Sequence, residues 1–234
     1  MRMYPIGDWT YLLVIIGLGI GMAAQYGVKR AYREFSQVAT QQGMPASAVV
    51  MDLLRQNGNS SVSLARIGGE LTDNYNPQNN TLSLSDAVFH SNSVAALAIA
   101  AHEAGHAMQH MERYVPLQVR SFSVPAVQIG SQAAIPIFIA GLIFSFRPLV
   151  FVGIGLFALS VFFALITLPV EFDASRRGLR MLSDGGCLSE SELSGAKKVL
   201  RSAALTYVAS ALASLLNLVR LILIAQGGSR RRRR

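Results

Sequence analysis

The sequence predicts a mainly α-helical membrane protein: three to four transmembrane or membrane-embedded helices, a helix carrying H-E-x-x-H and a short β-hairpin in a polar insert. Three observations carry this. Of 234 residues, 51% are hydrophobic and only 15% charged, whereas a soluble domain carries about a quarter charged residues. The missing charge is concentrated in a few long apolar stretches. Between them lie polar segments, one holding an Ala-rich run with His102, Glu103 and His106.

Residues 1–28 read as an N-terminal transmembrane anchor. Trp9 to Val28 contains no charge; at 1.5 Å rise per residue it crosses a ~30 Å hydrocarbon core. Trp9 and Tyr11 suit an interface, and Lys29, Arg30 and Arg33 follow the other end. A cleaved signal peptide, with Arg2 before the run and Met22-Ala23-Ala24 at a cut site, is the weaker alternative, since the stronger basic cluster follows the segment.

Residues 29–123 form the predicted catalytic region. Asn57 to Ser61 reads as a loop. Asn74 to Asn80 supplies a turn between Glu70-Leu71-Thr72 and Thr81 to Leu84, giving the hairpin. The Thr81–Leu84 strand is also a candidate for binding substrate as an added strand. From Val94, Ala, Leu, Met, Glu and Gln favour a helix. Ser91 or Ser93 is the expected N-cap, and Pro116 should end the helix just after Tyr114.

Residues 124–170 form a transmembrane hairpin, two apolar arms joined at Arg147-Pro148. Pro125 and Pro136 are tolerable in a lipid-embedded arm. Residues 171–202 are polar. Residues 203–225 form a last apolar helix, interrupted by Arg220, and 226–234 are an Arg-rich tail. Lys29, Arg30, Arg33, Arg176, Arg177, Arg180, Lys197 and Lys198 outweigh Arg2 and Arg147, so the positive-inside rule puts the catalytic region in the cytoplasm. The arginines of the tail conflict with that rule if the last helix spans, and Arg220 favours a helix that does not simply cross lipid. The formal net charge of +8 lies beside apolar segments, which suits orientation and anionic lipid; no nucleic-acid motif accompanies it. The single cysteine, Cys187, excludes an intrachain disulfide and a cysteine-rich zinc site.

His102 and His106 lie one turn apart on one helix face and can chelate one Zn²⁺. Glu103, turned by about 100°, sits where a base takes a proton from the water that the metal activates. Chance would place this motif in roughly one of 500 shuffled chains of this composition. The third ligand is expected to be Glu171, where the hairpin returns. His110 lies about 12 Å along the helix from His102, too far for bonds of ~2.0–2.1 Å, and is expected to be structural or to support a ligand. Asp173 either orients a ligating imidazole or pairs with Arg176 or Arg177. Tyr207 either donates to the oxyanion or packs in the last helix.

Three blocks, His102 to His110, Thr167 to Arg177 and Ala203 to Ala209, together resemble the YugP-like neutral zinc metallopeptidases of bacterial membranes. The resemblance covers nearly the whole chain. It implies a membrane zinc peptidase acting on proteins or peptides, with His102, His106 and Glu171 as ligands and Glu103 as catalytic acid and base. The Glu171-x-Asp173-Ala174 segment is also similar to the third-ligand segment of HtpX-type membrane proteases, which end it with Asp where this chain has Ser175. Two other functions stay open: an intramembrane-type metalloprotease, and a non-catalytic membrane partner or scaffold with a structural zinc. A membrane-protein partner or homo-oligomer is compatible with each.

Overall fold

The computed structural model describes residues 9–230; Arg2 and the arginines at 231–234 lie outside them. The chain divides into two compact units. One comprises residues 1–24, 119–167 and 206–234, the other residues 25–118 and 168–205.

The first unit holds most of the apolar sequence. Its helices are α1 (Tyr11–Phe35), α5 (Val115–Ile143), α6 (Arg147–Asp184) and α7 (Glu190–Arg230); α1 and α6 continue into the second unit, and α5 and α7 begin there. Among the described residues, four helices are long and apolar enough to cross a membrane. Leu12, Ile15, Ile16, Leu18 and Met22 of α1 are exposed, as lipid-facing side chains are. Gly17 of α1 lets α7 approach closely: a Cβ there would stand 3.2 Å from Ala213. Arg220, inside the apolar run of α7, lies 4.2 Å from the centre of the Tyr11 ring, so a cation–π contact accommodates its charge. Phe138, Val150 and Leu221 form a small buried cluster.

The joint between α5 and α6 is a left-handed cap, not the Arg147-Pro148 step itself. Ser145 has φ 53°, and the Phe146 N–H reaches the Gly141 carbonyl at 2.9 Å, the six-to-one bond of a Schellman turn. Pro148 falls in the first turn of α6, where its missing N–H costs nothing. The polar stretch after residue 170 is helical too. It forms the end of α6 and the start of α7, with Ser189 and Glu192 capping each other across the first turn of α7.

In the second unit, α4 (Val94–Met111) runs through the core, as its apolar first half requires. The Ser93 hydroxyl caps it, accepting from the Ala96 N–H at 3.2 Å. The helix ends at Met111, earlier than Pro116 predicts: Arg113 takes φ 55° and the Tyr114 N–H bonds the Gln109 carbonyl at 2.9 Å. Pro116 instead opens α5. Around α4 pack α2 (Ala46–Gln56), the short α3 (Asp86–Phe89) and the ends of α6 and α7.

Three strands complete the unit: β1 (Ser63–Ile67), β2 (Asn74–Asn76) and β3 (Thr81–Ser85), in the order β1-β3-β2. β2 and β3 are the antiparallel hairpin, but its turn is shorter than expected. Asn74–Asn76 pairs with β3, leaving residues 77–80 as the turn. β1 joins β3 in parallel.

Candidate metal centre

The site forms where α4 meets α6. Two glycines set the approach. A Cβ at Gly178 would stand 2.5 Å from the Ala101 carbonyl oxygen, and one at Gly105 would meet the Ala174 carbonyl more closely still. Each helix thus offers a glycine to the other's backbone. Glu171, two turns before Gly178 on α6, is thereby carried against His102 and His106.

Among the described residues, His102, His106 and Glu171 form a group whose donor atoms lie within 4.8 Å of one another, and such a group could hold a metal ion. Glu171 Oε2 is 3.2 Å from His102 Nε2 and 3.6 Å from His106 Nε2. Ligands held ~2.1 Å from one tetrahedral ion stand about 3.4 Å apart, so these separations fit zinc. Glu171 is almost wholly buried, with 3% of its side chain exposed. The two imidazoles stand nearly perpendicular, at 82°.

The other ring nitrogens are engaged elsewhere. His102 Nδ1 lies 3.0 Å from Ser175 Oγ, and His106 Nδ1 lies 3.0 Å from Gln109 Oε1. Both rings are therefore held from behind, with Nε2 toward Glu171. Ser175, the position at which the HtpX pattern carries Asp, thus has a partner of its own in this chain.

Glu103 is half-buried on the same helix. Burial pushes its carboxyl up; His102 and His106 oppose this, while Glu171 and Asp73 add to it. At His106, burial works against the charged ring, but the carboxylates of Glu171 and Glu103 outweigh it and the ring's pKa is raised.

The remaining candidates occupy distinct places. Asp173 is buried, and the bonds it accepts come from side chains other than the two imidazoles. It accepts from Arg176, from Arg177 at 2.5 Å and from Gln109 at 3.0 Å. His110 is outside the three-donor group; its Nδ1 is 2.7 Å from the Tyr75 hydroxyl of β2. Tyr207 is half-buried on α7, in the first unit. The β3 strand cannot take an added substrate strand along Thr81–Ser83, because β1 and β2 occupy both of its edges. Gln109 was not singled out from the sequence. The available signal was a strongly polar residue one turn beyond His106, in a helix too apolar to bury it unpartnered.

Over residues 10–226 the chain matches the family described as "putative neutral zinc metallopeptidase". The chain belongs to this family. It is also 39% identical to the "putative membrane protease YugP" of Bacillus subtilis (strain 168), over 92% of this chain and 96% of the relative. No solved structure matches it. The family is one of zinc peptidases by its description, zinc is a metal the three-donor group suits, and the four long apolar helices fit a membrane location.

Proposed function

We propose that this protein is a membrane-anchored zinc endopeptidase in which His102, His106 and Glu171 hold the metal and Glu103 moves the proton. The convergence of two Nε2 atoms and one carboxylate oxygen, with both Nδ1 atoms bonded on the far side, supports this reading most directly. Bound there, zinc would lower the pKa of a water toward ~7 and polarise a peptide carbonyl. Glu103 then takes the proton from the attacking water and delivers it to the leaving amine. Burial raises its pKa, so it accepts a proton more readily than an ordinary carboxylate, as this role requires.

A structural zinc would call for a fourth protein ligand, whereas a catalytic one leaves that position to water. Among the described residues the group has three members, which favours the catalytic reading. The basic flank Lys29, Arg30, Arg33, Lys197 and Lys198 supports a cytoplasmic position for the second unit.

The test is hydrolysis of a denatured protein substrate by purified wild type and Glu103→Gln, beside metal analysis of both. The variant should keep zinc and lose about 10²–10⁴-fold in rate. Full activity in Glu103→Gln, or wild-type protein without bound zinc, would defeat the proposal.

A further inference from the structure

We propose that Gln109 is the positioning residue that dictates which nitrogen of His106 faces the metal, through a one-way chain from His106 to Gln109 to Asp173. Gln109 is fully buried. Its side-chain Nε2 lies 2.8 Å from the Val170 carbonyl and 3.0 Å from Asp173 Oδ2. The carbonyl can only accept. Asp173, bonded by both Arg176 and Arg177, is an ionised carboxylate and also only accepts.

The amide has one orientation that satisfies all of this. Turned over, Gln109 would set its carbonyl oxygen against two acceptors and leave its two N–H groups facing a ring, which is costly in a buried site. With the NH₂ fixed toward α6, the Oε1 atom faces His106 Nδ1 at 3.0 Å. An oxygen there requires a donor, so Nδ1 carries hydrogen. In the neutral ring the lone pair is then on Nε2, the nitrogen 3.6 Å from Glu171.

The chain is anchored at its far end. Arg177 bonds Asp173 and also Glu112, at 2.6 Å, where α4 ends. The stretch from His106 to Glu112, at the end of α4, is thus clamped to α6 by polar contacts. His102 is held differently. Ser175 Oγ can donate or accept, so His102 has no equivalent dictation from its partner. The two imidazoles are therefore not equivalent, and Gln109 controls only one.

The inference rests on the zinc role of His106, yet it can be read without metal. Nitrogen-15 NMR of the metal-free protein in detergent micelles, at a pH alkaline enough to leave the imidazoles neutral, distinguishes the two tautomers. His106 should be protonated at Nδ1. In Gln109→Met, of similar length but without the amide, the tautomer should become mixed and zinc affinity, measured by chelator competition, should fall about 10–100-fold. Ser175→Ala should leave the His106 tautomer unchanged. Wild-type His106 protonated at Nε2 would overturn the inference with no variant needed. So would a Gln109→Met protein that keeps both the Nδ1–H tautomer and wild-type zinc affinity. Failure of the wild type to bind zinc would instead sink the peptidase reading, and the tautomer result would stand apart from it.

Discussion

At the scale of single residues, Glu103 and His106 are shifted upward for different reasons. Glu103 is shifted because burial disfavours its carboxylate. His106 is shifted because two carboxylates favour its cation despite burial. Both shifts act in the same direction on function. The base form of Glu103 is lost as pH falls, and a raised pKa moves that loss above the ordinary carboxylate range. Activity should therefore have an acid limb above about pH 4.5, seen in kcat/KM against pH; a rate flat down to about pH 4 would contradict it. Zinc needs the lone pair that a proton takes up on His106. Affinity should weaken as pH falls through the raised imidazole pKa, by up to about tenfold per pH unit for that proton. Chelator competition at several pH values measures it, and a pH-independent affinity across the neutral range would refute it.

At the scale of elements, the crossing of α4 and α6 depends on absent side chains. Gly178→Ala would press a methyl group into the Ala101 carbonyl. Helix propensity alone would favour alanine by about 1 kcal/mol, but overpacking costs ~1–3 kcal/mol and the contacted atom is rigid backbone. We expect a lower Tm together with weaker zinc binding, because α6 carries Glu171 outward when it yields. Gly155→Ala, on the same helix with nothing within 4 Å, is the control: it should leave zinc binding unchanged and should not lower Tm. Equal behaviour of the two variants would show that the crossing tolerates a methyl group. The helix of His102 and His106 and its serine cap were legible because capping and propensity are local. The pairing of β1 with β3 was not, since a parallel strand 18 residues away leaves no local pattern. Gln109 was missed because its partners, Val170 and Asp173, lie more than 60 residues off.

For the whole molecule, the apolar stretches marked the membrane-compatible helices but not their lengths. The segment after residue 170 looked polar because, beyond the apolar run, α6 buries only a stripe: Ala174, Met181 and Leu182 are buried while Phe172, Arg176 and Asp184 are not. A helix need not end where its hydrophobicity does. The basic flanks make an orientation prediction. A cysteine placed at exposed Asn79, in a Cys187→Ala background, should resist a membrane-impermeant maleimide in intact cells and react after lysis. Labelling of intact cells would reverse the topology.

The proposed chemistry requires Glu171 to complete the metal site. Zinc affinity of purified Glu171→Ala, measured by chelator competition beside wild type, tests this most directly. Loss of a ligand should weaken binding by more than the ~10–100-fold typical of a supporting residue, with the helical content kept. A Glu171→Ala protein that holds zinc as tightly as wild type would remove Glu171 from the site and contradict the account.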